Sequence, residues 1–447
     1  DSEATRTSFA SEFSGDKMVS LCEPEACSWT EVFALLLSPG IPYCHPAPHP
    51  TVAAAKQSGV EVVSDIEIFA RAALPASIVA ITGTNGKSTT TALICHILAH
   101  AGRKTEMGGN IGRGVLALEA LGADGTYVLE LSSYQLETTS SLSADVAILL
   151  NISPDHLDRH GGFEGYVKAK KRIFRNARAD SSAVIGLDDV ASRRIHKDLV
   201  SANKQQVIPV SGAKVIEGGV YQQDGNLIDD RYGMAEAVYC LSRSPALPGE
   251  HNAQNAAAAY AACAALGLPR EDIIEGLETF PGLVHRQERV AVIDGISYIN
   301  DSKATNPEAA ARALACSQRV YWIAGGRAKE GGFEDLFPYF SNLAGAYLIG
   351  EAEEILAAAL EKRLKGEVRV LRCGTLEKAL EVASSDAKRD KMTTEEGDAE
   401  IIQPVILLSP ACASFDQFPD FEARGNRFRE LVAGLPDAPS QLAGGAA

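Results

Sequence analysis

The stretch IVAITGTNGKST, Ile78 to Thr89, combines two glycines, a lysine and neighbouring hydroxyls in the manner of a phosphate cradle. Gly83 and Gly86 allow the backbone to curl so that several N–H groups point inward. The helix that follows adds the partial positive charge of its N-terminus. Lys87 can reach terminal phosphates, and Ser88 or Thr89 can offer a hydroxyl to magnesium. The spacing departs from the usual loop, G-x-x-x-x-G-K-[ST], because Ile81 stands where the first glycine would be. A plain strand-to-helix turn needs neither the lysine nor the hydroxyls, so a cradle for a nucleoside triphosphate is the favoured reading.

Other chemistry gathers at the ends of apolar runs. Glu130, in YVLELSSYQLE, occupies a natural place for a magnesium-directed carboxylate, although acidic residues end many strands without a catalytic role. Asp155, His156 and Asp158 crowd the turn in LLNISPDHLDRHG, where His156 reads as a metal ligand or a positioning group. Lys168, Lys170, Lys171 and Arg172, in YVKAKKRIF, have the pattern of a solvated basic helix face, and Lys168 and Lys171 are read as one. Asn252 and Asn255, in EHNAQNAAAA, share a helix face at i, i+3; capping accounts for one, and the pair suggests recognition. Asp301, Ser302, Lys303 and Thr305 follow one strand, and Ser409, Ser414, Asp416 and Phe421 follow another. A Ser or Cys nucleophile in the last stretch is a poor reading, since no His lies nearby in sequence.

The elements that must position these groups alternate short apolar runs with helical periodicity, which predicts α/β architecture with largely parallel sheets. SIVAITG, TYVLELS, VAILLNIS, SAVIGL, YWIAGG and PVILLSP are the clear strands, and STTTALICHILAHAG is a helix stopped at Gly102. The chain has 447 residues, too many for one ordinary core. Three zones are expected: 1–72, with strand-like VFALLLSPGIP and GVEVVSDIEIF; 73–282, with the cradle; and 283–447, a second α/β unit. The charged segment at 384–400, SSDAKRDKMTTEEGDAE, reads as a solvated surface loop. A net charge of −16 argues against nucleic-acid or membrane-surface binding, yet leaves room for one cationic cleft. Nine cysteines at irregular spacing, without a C-x-x-C pair, suggest a reducing cytoplasm rather than a disulfide scaffold. No apolar run reaches the ~18 residues that span a bilayer.

Taken in order, the motifs resemble those of the Mur ligases, ATP-dependent amide-forming enzymes of peptidoglycan precursor synthesis. GTNGKST resembles that family's short form of the phosphate loop. GGNIG, ELSSYQLE, NDSKATN and LSPACASFDQF resemble the branch that adds D-glutamate to UDP-N-acetylmuramoyl-L-alanine, and the likeness runs from about residue 35 to 432. The resemblance implies three domains: a partial Rossmann-like N-terminal domain for the UDP substrate, a P-loop-type central ATPase domain and a Rossmann-like C-terminal domain for the amino acid. It implies an acyl phosphate made from ATP with Mg2+, and a monomer. Gly83, Thr84, Asn85, Gly86, Lys87, Ser88 and Thr89 would hold the ATP phosphates. Ser88, Glu130, His156 and Lys170 would serve the metal, with Lys170 carbamylated to a carboxylate instead of lying on a basic face. Asn252, Asn255, Arg286 and Asp301 match ATP contacts, and Asn110 matches a residue near the muramoyl substrate. Lys303, Thr305, Lys329, Ser414 and Phe421 match the acyl-phosphate and D-glutamate side; Lys87, His156, Lys170 and Lys303 carry the chemistry. The resemblance also implies that the first β-α-β unit is missing and that LLLSPGIP would remain as a nucleotide-edge contact. A nucleotide-binding but inactive truncated form, or a sibling amide ligase, is the alternative.

Overall fold

The apolar runs fold as strands whose ends carry the chemistry. The computed structural model describes residues 3–19, 21–72, 75–244, 246, 247, 249–328, 332–394 and 403–438. Among them, β1 (Ala34–Leu36) and β2 (Glu61–Val63) form a parallel pair. A nine-stranded sheet contains β3 (Ser77–Thr82), β4 (Thr105–Gly109), β5 (Thr126–Glu130), β6 (Val146–Leu149), β7 (Ser182–Gly186), β8 (Gln206–Ser211), β9 (Val220–Gln223), β10 (Asn226–Asp229) and β11 (Glu236–Cys240). Its order is β11-β10-β9-β8-β7-β6-β3-β5-β4. A third sheet, ordered β12-β13-β17-β14-β15-β16, uses β12 (Glu288–Ile293), β13 (Ile296–Asn300), β14 (Val320–Gly325), β15 (Leu343–Ile349), β16 (Arg369–Gly374) and β17 (Val405–Leu408). Only β12 and β13 pair antiparallel in it.

Packing divides the chain into two compact units. The first holds Asp1–Tyr221, Asp229–Glu236 and Ala257–Ile273; the second holds Gln222–Ile228, Ala237–Ala256 and Ile274–Ala447.

In the first unit, Val79, Ala80, Ile81 and Thr82 of β3 are fully buried, as a strand covered on both faces must be. β3 pairs in parallel with β5 on one side and β6 on the other, so all three end together. Open α/β sheets place ligands at such strand ends. The cradle follows β3, Glu130 closes β5, and the Asn151 turn follows β6. β4 pairs with β5 so that Gly109 faces Glu130. In the second unit, β17 lies between β13 and β14 and brings the segments after Asn300, Gly325 and Leu408 together. The two faces of that sheet bury alternate residues: Trp322 and Leu407 into one core, Tyr321, Ile323, Ile406 and Leu408 into the other.

Two expectations are corrected. Residues 384–394 are not a loop but the end of a 19-residue helix, Leu376–Thr394. Leu376, Ala379, Leu380, Ala383 and Ala387 make a buried stripe at helical spacing that the charges around them concealed. Asp386 on that helix is itself buried, accepting from the Tyr347 hydroxyl and the Arg369 guanidinium. Residues 395–400 lie outside those described. The strand-like reading of GVEVVSDIEIF holds for Glu61–Val63, after which Ser64 caps a helix, Asp65–Arg71, by accepting from the Glu67 N–H. No helix among the described residues is long and apolar enough to cross a membrane.

Candidate functional site

The cradle in the first unit is held from several directions. Gly83 has φ +158°, and a Cβ there would meet the Leu150 Cβ at 3.1 Å. Gly86 adopts the left-handed region, φ 83°, and caps the helix Lys87–His100. Asn151 clasps Asn85 from both sides: the Asn85 N–H donates to Asn151 Oδ1 at 2.9 Å, and Asn151 Nδ2 donates to the Asn85 carbonyl at 3.3 Å. The Thr84 hydroxyl lies 3.1 Å from the Tyr166 hydroxyl and accepts from the Ser153 N–H at 3.0 Å. Ser88 and Thr89 are buried at the start of the helix.

Two lysines converge on the loop. Lys87 Nζ donates to the carbonyls of Gly83 and Thr84, both at 2.9 Å. Lys170 Nζ donates to the same Gly83 carbonyl at 2.7 Å and reaches Thr82 Oγ1 at 3.4 Å. Lys170 is 1% exposed and takes no part in a solvated face. Its helix turns Lys168 to solvent and lets Lys171 pair with Asp198, while Tyr166, Val167, Ala169 and Lys170 face inward. Burial, then the neighbouring Lys87 charge, pushes the Lys170 amine well below the usual lysine range; Asp155 and Glu130 oppose this.

Glu130 is 2% exposed. Its Oε1 accepts from Asn110 Nδ2 at 3.1 Å, and its carbonyl accepts from the Asn110 N–H at 2.8 Å. Its Oε2 is buried without a hydrogen-bond partner. An orphaned carboxylate oxygen beside the cradle suits a hard cation, which takes one or two protein carboxylates and fills its shell from phosphates and water. Gly109 makes this arrangement possible: φ is +97°, and a Cβ would stand 2.2 Å from the Glu130 carbonyl oxygen. His156 has φ 49° and is half exposed, its Nε2 3.4 Å from Asp155 Oδ2. Tyr134 packs on His156 at 5.1 Å between centroids and stacks on His160 at 5.3 Å. The buried His160 ring meets Ser133 Oγ at 2.9 Å, and burial holds its pKa down to about 4.

The second unit assembles its own cluster. Asp301 Oδ2 accepts from the Ser409 hydroxyl at 2.7 Å and Oδ1 from the Gln287 N–H at 3.1 Å. Burial pushes its carboxyl up to about 7, against these hydrogen bonds and the nearby Arg286 charge. Lys303 Nζ sits 5.2 Å from the centre of the Phe421 ring, and its N–H donates to the His285 carbonyl. The Thr305 N–H closes back on the Lys303 carbonyl at 2.8 Å. Ser414 is buried just after Ala413, whose backbone bridges that of Arg327. Asn252 and Asn255 are buried and bonded to each other at 3.0 Å. Lys329 lies outside the described residues.

Asn151, Tyr166, His160, His285 and Arg424 support these clusters and were not singled out in the sequence. Asn151 did carry a signal, because it ends a buried strand run as Glu130 does. The others needed the fold, since their partners lie far along the chain.

Comparison with known proteins gives the following likenesses. Residues 81–263 match the Mur ligase middle domain, and residues 285–395 match the Mur ligase, glutamate ligase domain. A UDP-N-acetylmuramoylalanine--D-glutamate ligase of Caulobacter vibrioides is 51% identical over 417 residues, 92% of this chain and 86% of that one. The ligase of the same name from Rhodospirillum rubrum is 51% identical over 407 residues, 91% of this chain and 83% of that one. Among solved structures, the D-alanyl-D-alanyl-adding muramoyl ligase of Acinetobacter baumannii is similar in fold, with TM-score 0.55, 18% identity and 92% of each chain covered. The folylpolyglutamate synthase of Mycobacterium tuberculosis, complexed with ADP, gives TM-score 0.54 at 16% identity, covering 83% of this chain and 93% of that one.

Proposed function

This chain belongs to the Mur ligase family, and we infer that it is the member that joins D-glutamate to UDP-N-acetylmuramoyl-L-alanine at the expense of ATP. The observation that carries this is identity of 51% to ligases of that name over 92% of the chain. The reaction belongs to peptidoglycan precursor synthesis, and the enzyme acts as a cytoplasmic monomer. Residues 1–72 serve the UDP substrate, 73–282 serve ATP, and 283–447 serve the amino acid.

The alanyl carboxylate attacks the γ-phosphorus, ADP leaves, and an acyl phosphate forms. The D-glutamate amine then attacks the acyl carbon, loses a proton and expels phosphate. Charge on the transferring phosphoryl group must be neutralised and its oxygens held in line, which is work for fixed donors and cations. Lys87 is already folded over the loop, so it meets the phosphates by exchanging carbonyl partners for phosphate oxygens. The amides of Gly83, Thr84, Asn85 and Gly86 supply fixed donors, and Ser88 and Thr89 stand at the helix start. Mg2+, where bound, draws charge from the phosphate oxygens; Ser88, Glu130 and His156 are the residues to hold it. Asn110 orients the Glu130 carboxyl while lying on the muramoyl side. Lys170 becomes an acid by carbamylation: burial and Lys87 favour its neutral amine, the form that adds to carbon dioxide. Asn252, Asn255, Arg286 and Asp301 attend the nucleotide. Lys303, Thr305, Lys329, Ser414 and Phe421 attend the acyl phosphate and the incoming dicarboxylate, for which cations and hydroxyls are the fitting partners.

The test is phosphate release measured with every combination of ATP, Mg2+, UDP-N-acetylmuramoyl-L-alanine and D-glutamate. Turnover is expected only with all four. Equal turnover with L-glutamate, or with a folate acceptor, would assign the chain to a sibling ligase instead.

A further inference from the structure

Arg424 is a guanidinium buried to 1% exposure in the second unit, on the first turn of the helix Phe421–Ala433. The cost of burying such a charge is usually met by a carboxylate. Here the hydrogen-bond partners are neutral oxygens. Nε donates to Ser302 Oγ at 3.0 Å; Nη2 donates to the Ser302 carbonyl at 2.9 Å and the Cys412 carbonyl at 3.2 Å; Nη1 reaches the Gly325 carbonyl at 3.5 Å. Asp416 is close enough to act through its charge, but its Oδ2 accepts from the Glu351 N–H. Burial draws the guanidinium down to about 10, which still leaves it protonated at neutral pH.

The three carbonyls belong to three segments that leave the C-terminal ends of β13, β14 and β17. One fork therefore sets the mutual register of the turn carrying Lys303 and Thr305 and the loop carrying Ser414. Ser302 tightens the link by donating its hydroxyl to the Phe421 carbonyl at 2.8 Å. Gly326 shows how close the packing is, since a Cβ there would stand 2.2 Å from the Ala413 carbonyl oxygen and 3.1 Å from Arg424 Nη1.

We propose that Arg424 is a positioning residue for the amino-acid substrate. It spaces Lys303, Thr305 and Ser414 for a dicarboxylate and sets beneath them a positive charge with no carboxylate hydrogen-bonded to it among the described residues. The proposal rests on the reading of those three residues as the D-glutamate side. A lysine could keep the charge but not the planar fork, so charge and register are separable.

The experiment compares wild type, Arg424→Lys, Arg424→Ala and the milder Ser302→Ala in steady-state kinetics, varying D-glutamate, ATP and the muramoyl acceptor in turn. Arg424→Lys is expected to raise KM for D-glutamate by about tenfold, and Arg424→Ala by about 100-fold with partial recovery in added guanidinium, as for a site displaced by about 1 Å. Ser302→Ala, which removes the Nε acceptor and the hydroxyl donor to the Phe421 carbonyl while leaving the three backbone carbonyls of the fork, is expected to raise the same KM a few-fold. KM for ATP should stay within about twofold in each folded variant. If D-glutamate KM is unchanged in Arg424→Lys and Ser302→Ala, or if all three substrates weaken equally, Arg424 does not position this substrate. Should Arg424→Ala fail to fold, the lysine and Ser302 variants still decide. A wild-type enzyme that turns over L-glutamate as well as D-glutamate overturns the functional reading and this inference with it; normal wild-type turnover beside unchanged variants overturns the inference alone.

Discussion

Asp301→Asn should make the protein more stable above neutral pH while making it a poorer enzyme. Asp301 is 5% exposed, and burial raises its carboxyl from 3.8 to about 7. Between those values the folded chain holds a proton that the unfolded chain has released, so wild-type stability falls as pH rises through the window. At about 1.4 kcal/mol per pH unit, the deficit reaches at most about 4 kcal/mol at pH 8. Asparagine removes the ionisation and keeps the shape. Its Oδ1 can still accept from the Gln287 N–H, and its amide can donate to the Ser409 hydroxyl, which is free to rotate. Urea unfolding at pH 5 to 8 is the assay, followed by fluorescence of Trp322, whose indole N–H donates to the Ser409 carbonyl at 2.8 Å. The variant's advantage should grow by about 2–3 kcal/mol between pH 5 and pH 8. Activity should fall as a nucleotide contact is weakened, the usual opposition of stability and function at a charged site. Parallel pH profiles for the two proteins would refute the argument that this carboxyl is held against its own ionisation.

Three other perturbations probe the first unit. Lys170→Ala should lower kcat by at least about 100-fold and be partly rescued by short carboxylic acids; unchanged turnover would sink the carbamate. Gly109→Ala must move the Glu130 backbone, because its Cβ would stand 2.2 Å from that carbonyl. A loss of about 1–3 kcal/mol from the left-handed backbone alone is expected, read as a lower melting temperature together with weaker dependence on Mg2+. Asn151→Ala removes both clasps on Asn85, so KM for ATP should rise about tenfold while KM for D-glutamate holds, measured by the same phosphate-release assay.

The sequence by itself determined the α/β class, the strands β3, β5, β6, β7, β14 and β17, and the strand-to-helix loop from Gly83 into the helix that starts at Lys87. Those features are local: a buried parallel strand is a continuous apolar run, and a phosphate loop needs its glycines, lysine and hydroxyls within a few residues. Only the tertiary structure decided that Lys170 is buried rather than solvated. Its neighbours Lys168, Lys171 and Arg172 are as basic as it is, and what separates them is which side of one helix meets the cradle. The same holds for residues 384–394, where buried alanines at helical spacing outweigh the charges between them. Asn151 against Asn85, and Arg424 against Ser302, are partners 66 and 122 residues apart. No spacing rule reaches that far, because the pairing of strands, and not the order of residues, brings their ends together.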